Sequence, residues 1–137
     1  MTTQEISEDY HSRGSQDTTL SMSGHCVCAA QQAHDFFCSR PLMRAVIVEC
    51  VMISKDDIEL LTNEQIPSSD GTISGLKKSF TFEPPCIWRE GGFSILAQSR
   101  GPKHRVVAVL VADGSFVLVD WSAGQFVDPR NTLLYML

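Results

Sequence analysis

Cys26, His104 and Asp120 follow one another along the chain in the order of a thiol catalytic triad. A thiol nucleophile needs a base to draw off its proton and a third group to orient that base. It also gains from a helix N-terminus, where the dipole favours the thiolate. Cys26 stands two residues after Gly24, at the predicted start of the helix CVCAAQQAHDFFC. Cys26, Ala29, Ala30, Ala33 and Phe37 fall on one narrow apolar face of that helix. Cys28 heads the polar row with Gln31, Gln32 and Asp35, so Cys26 is the better nucleophile. His104 begins a predicted strand after the Gly101-Pro102-Lys103 turn, and Asp120 lies near the end of the next strand. The chemistry this trio could perform is acyl transfer. Cys26 attacks a carbonyl carbon, His104 carries the proton to the leaving amine, and Asp120 holds the imidazole tautomer. Each residue alone is ordinary: a small core thiol, a surface imidazole, a turn-forming carboxylate. Their chain order and their positions on matching elements make the reading.

The element that must bring His104 to Asp120 is a hairpin. His104 to Ala112 and Ser115 to Trp121 read as strands, and Asp113-Gly114 between them is a strong turn signal. With Ala112 opposite Ser115, His104 falls opposite Ala123 and Asp120 opposite Val107. That leaves Asp120 about three positions short of a direct pair, a gap that a bulge or an adjacent-row contact would have to close. Elsewhere Arg44 to Ile53 reads as a strand, and Lys55 to Gln65 as a short helix behind Ser54. Residues 67 to 79 read as a loop, Phe80 to Glu83 is broken by Pro84-Pro85, and Gly92 to Gln98 reads as a strand. The chain closes on an apolar tail, TLLYML. A helix, a strand and then an antiparallel sheet predict an α+β fold with helix and sheet segregated.

The 137 residues suit one domain, with 43% hydrophobic and 20% charged residues. Residues 1–20 are polar and predict a mobile N-terminal arm, leaving 21–137 as the folded domain. The net charge of −5 argues against a dedicated nucleic-acid binder. No apolar run is long enough to span a membrane, and the acidic start is unlike a signal peptide. Five cysteines at irregular spacing predict reduced thiols. His25, Cys26, Cys28, His34 and Cys38 lie close together but lack a C-x-x-C knuckle, so neither a metal nor another cofactor is expected.

Ser23-Gly24-His25-Cys26-Val27-Cys28-Ala29 resembles the G-x-C-x-x-A start of the nucleophile helix in papain-like and transglutaminase-like cysteine enzymes. Residues 104–109 and 114–120 resemble their His and Asp strands. Asp120-Trp121-Ser122-Ala123-Gly124-Gln125-Phe126 is similar to the D-x-[ST]-A-x-Q-F ending of bacterial papain-like toxin and effector domains. The resemblance covers residues 23–37 and 104–129. It implies a minimal papain-like core, with the nucleophile helix packed on a curled antiparallel sheet. It also implies a glutamine deamidase, transglutaminase or protease acting on a protein of a host or target cell. An immunity or chaperone protein would accompany such a toxin. The chain would be cytoplasmic in its producer and leave by a leaderless route. The family's glutamine upstream of the nucleophile has no counterpart in residues 17–25. The second class of function is therefore a catalytically inactive interaction module on the same fold.

Overall fold

Alternation with period two runs through Ala45–Ser54 and builds the first of six strands. Val48, Cys50 and Met52 turn to one side, while Ala45, Ile47, Val51 and Ile53 turn to the other. The computed structural model describes residues 1–14, 25–41, 43–57, 76–96, 102–126 and 128–137. Its strands are β1 (Ala45–Ser54), β2 (Leu76–Glu83), β3 (Ile87–Leu96), β4 (Lys103–Leu110), β5 (Phe116–Val119) and β6 (Thr132–Met136). They close into an antiparallel barrel in the order β1-β4-β5-β3-β2-β6, with β6 pairing back to β1.

This closed barrel corrects the expected α+β core of a helix on a curled sheet. The cause lies in the segments left unread as strands. β2 and β3 form a long hairpin through the turn at Pro84-Pro85, which separates two strands instead of ending one. The apolar tail is β6, which joins β1 to β2 and so leaves no sheet edge between them. Residues 76–79, read as loop, belong to β2. Lys55–Asp57 makes a single 3-10 turn, and the remainder of the expected helix to Gln65 lies outside the described residues.

Cys50, Phe80, Trp88, Val106, Leu118 and Leu134 fill the barrel interior. Two helices cover one outer wall. α2 (Cys26–Cys38) lays Ala29, Ala30, Ala33 and Phe37 on Val107, Val109, Val117 and Val119. Residues 1–14, expected to lie in a mobile arm, form α1 (Thr3–Asp9) and a π-helical turn, Tyr10–Gly14. A capping box between Thr2 and Glu5 starts α1, and Ile6 is completely buried in the α2 cluster. Met1 and Tyr10 pack against the same cluster, so three apolar residues in a polar run anchor the segment. Arg40 holds Asp9 at 3.0 Å, and the Met1 carbonyl accepts the Ala112 N–H.

Candidate functional site

Side-chain parity decides which residues meet. On β4, Val107 and Val109 face α2, so His104 and Val106 face the barrel interior. The observed hairpin register pairs Val107 with Val119 and Leu110 with Phe116. It continues to Val111, whose N–H donates to the Ser115 carbonyl. The loop therefore has three residues, Ala112, Asp113 and Gly114, with Gly114 at φ +89°. A three-residue loop closed by a left-handed glycine shifts the pairing by one residue from the expected one. In a sheet that shift moves every side chain to the other face. With Val107 opposite Val119, Asp120 comes opposite Val106, on the face His104 occupies. The expected register would have put Asp120 on the α2 side.

The two side chains meet at 2.7 Å, His104 Nε2 to Asp120 Oδ2, and each is 1% exposed. Oδ2 also accepts the Trp88 indole N–H at 2.9 Å. Oδ1 accepts both the Ser122 backbone N–H at 2.9 Å and the Ser122 hydroxyl at 2.7 Å. Burial alone would raise the Asp120 pKa. The His104 hydrogen bond and charge, with the Ser122 and Trp88 donors, outweigh it and hold the carboxyl below its ordinary range. An ionised carboxylate only accepts hydrogen bonds, so the bonded Nε2 carries a proton and a neutral ring keeps Nδ1 as its basic nitrogen.

The segment after Asp120 dresses this pair residue by residue. Trp121 turns outward, its ring 5.5 Å from Phe36 and 6.3 Å from Phe37 of α2. Ser122 caps the carboxylate, and Gln125 donates to the Ser122 hydroxyl at 3.2 Å. The Phe126 ring stands 5.1 Å from the His104 ring and edge-on to Trp88. Sequence reasoning missed Ser122 and Trp88. A serine two residues after an aspartate is Asx-turn chemistry and could have been read. Trp88 carried no local signal, because only barrel closure brings β3 beside β5.

Cys26 is the first residue of α2, on the helix stripe that rests on the outer wall. Among the described residues no hydrogen bond joins it to His104 or Asp120. The cysteine that the strands set beside His104 is Cys50, directly opposite it on β1. Burial, then the Asp120 and Glu49 charges, push the Cys50 thiol up to about 12. Burial, then the Asp120 charge, does the same for Cys86, also to about 12. Both stay protonated near neutral pH. His34 Nε2 lies 3.4 Å from Cys38 Sγ on exposed α2, and no cluster of three or more metal-binding side chains occurs among the described residues. Among the described residues no helix is long and apolar enough to cross a membrane. No protein-family model, curated protein or solved structure matches the chain.

Proposed function

We propose that this chain is a cysteine-dependent acyl-transfer enzyme acting on protein amides, with Cys26 as nucleophile, His104 as base and Asp120 as the orienting carboxylate. The observation that carries this reading is the His104–Asp120 pair, whose imidazole is fixed through Nε2 by a carboxylate that takes three further hydrogen bonds. Such over-determination holds one ring orientation and one tautomer, the task of the third member of a triad. Burial pushes the Cys50 and Cys86 thiols up to about 12, which disfavours the thiolate at either one. Cys26 heads α2, which packs on the outer face of β4, whereas His104 points from β4 into the barrel interior, so Cys26 enters this reading on its place in the chain order and not on proximity.

In the reaction, Nδ1 takes the Cys26 proton as sulfur bonds to the amide carbon. The proton passes to the departing nitrogen as the C–N bond breaks. Water or an amine then displaces the thiol from the thioester, which returns the proton to sulfur. The reading requires Cys26 to come within hydrogen-bond reach of Nδ1 during turnover.

The second reading is a binding module without turnover. The near-complete burial of His104 favours it, because a base sealed from solvent cannot meet a substrate unless the site opens. The experiment is ammonia release from casein, with and without added putrescine, beside detection of new amino termini. Wild type is compared with Cys26→Ala and His104→Ala, each checked for folding. Activity lost in both variants supports the enzyme, and the product identifies deamidase, transglutaminase or protease. Iodoacetamide labelling supplies a second arm. Cys26 should alkylate several-fold faster in wild type than in His104→Ala. Equal rates together with an inert wild type would leave the binding module as the function.

A further inference from the structure

The barrel is closed weakly at one seam. β3 has ten residues, yet it pairs with β5 only at Ile87–Val119 and Trp88–Leu118. The Asp120 N–H donates to the Cys86 carbonyl at 2.7 Å, so this ladder bonds at alternate rungs: Cys86–Asp120, then Trp88–Leu118. The next bonded rung would join Glu90 to Phe116, and it is not made among the described residues. Among the described residues no strand pairs with this side of β3 from Glu90 onward, which leaves a row of main-chain donors and acceptors along the seam.

Apolar side chains gather at the same end of the barrel. The described chain exposes five large hydrophobic residues, and four lie here: Val46, Leu110, Phe116 and Leu137. The β1–β4 and β4–β5 registers put Val46, Leu110 and Phe116 around one rim. The Leu137 N–H donates to the Glu49 carbonyl beside them. A cavity of about 310 Å³ opens beside Phe116 and Leu137, and Phe80, Met136, Lys77, Lys78 and Glu90 complete its lining. Lys78 is paired with Glu90 at 3.2 Å, and exposed Lys77 adds a second cation in a chain of net charge −5. Apolar patches of this kind on a folded surface mark recognition sites.

The geometry points to a docking slot for an extended peptide that adds as a strand to the β3 edge, sets an apolar side chain into the cavity, and places an acidic side chain beside Lys77 and Lys78. Strand addition explains both features together: the unmade rung supplies main-chain hydrogen bonds, and the cavity reads alternate side chains. The lysines select the charge of the partner. Neither His104 nor Asp120 lines the slot, and it does not depend on the thiol reading.

The probe is a fluorescein-labelled peptide alternating phenylalanine or valine with glutamate, titrated against the full chain by anisotropy. Three controls use the same peptide N-methylated at alternate residues, lysine in place of glutamate, and the K77E/K78E variant. We expect saturable binding of the parent peptide. N-methylation should weaken it roughly tenfold or more, because it removes the donors of one strand edge. K77E/K78E should reverse the preference to the lysine peptide, and both changed residues are exposed, so the fold survives. Phe116→Ser should weaken the parent peptide as well. Equal affinity for parent and N-methylated peptides would overturn strand addition. So would the absence of saturable binding, or a protein that occupies its own slot as a dimer in sedimentation.

Discussion

Asp120 concentrates more interactions than any other polar group described. One oxygen pair takes four donors from β4, β3 and the turn after β5. Its lowered pKa is therefore a statement about stability. A carboxyl depressed in the folded state binds a proton more readily when unfolded. Its contribution is fully present above the ordinary carboxyl pKa, about 4, and is lost as pH falls through the folded value. Urea unfolding followed from pH 7 downward should show stability falling in this acid window. In Asp120→Ala that part of the acid dependence should vanish, and stability at neutral pH should drop by roughly 3–5 kcal/mol, because His104, Trp88 and Ser122 lose their acceptor. The partners His104 and Asp120 were legible from residue type and order. Cys50 was not, because which cysteine lies opposite His104 depends on the pairing of β1 with β4, strands far apart in the sequence.

The β4–β5 hairpin shows how one loop residue controls a site. Gly114 sits at φ +89° with open space where a Cβ would go, so a side chain there meets backbone strain and no neighbour. Gly114→Ala should cost about 1–2 kcal/mol, measurable as a lower urea midpoint. A two-residue loop engineered in its place would send Asp120 back to the α2 face. The hairpin itself could be read from Asp113-Gly114, but its register could not, because two- and three-residue loops share the same turn residues. α1 teaches the reverse lesson. Its composition suggested an arm, yet burial of Ile6 outweighs the polarity of its neighbours. Ile6→Ala should destabilise the fold by roughly 2–5 kcal/mol in the same titration. No change would mean that α1 rests on the barrel without contributing to its stability.

At the scale of the whole molecule, strand content was legible where β-branched residues ran together, as in β1 and β4. It was hidden where lysine, proline and glutamate interrupt them, as in the start of β2 and the first half of β3, while residues 92–96 of β3 read as a strand. Those strands are held by pairing, not by propensity. Closure was the least legible property, since neither β1 nor β6 announces the other in sequence. Yet β6 is the stave that completes the wall: Cys50–Ser54 pair with Thr132–Met136, and Phe80 and Thr81 pair with Leu134 and Leu133.

That arrangement sets a timetable for synthesis. A growing chain can assemble β1, β4, β5, β3 and β2 as they emerge, but the sheet stays an open ribbon until residues 132–136 leave the ribosome. For that interval β1 and β2 carry bare edges, the usual entry points for strand exchange between nascent chains. Residues 132–136 convert an open ribbon with two bare edges into a closed barrel.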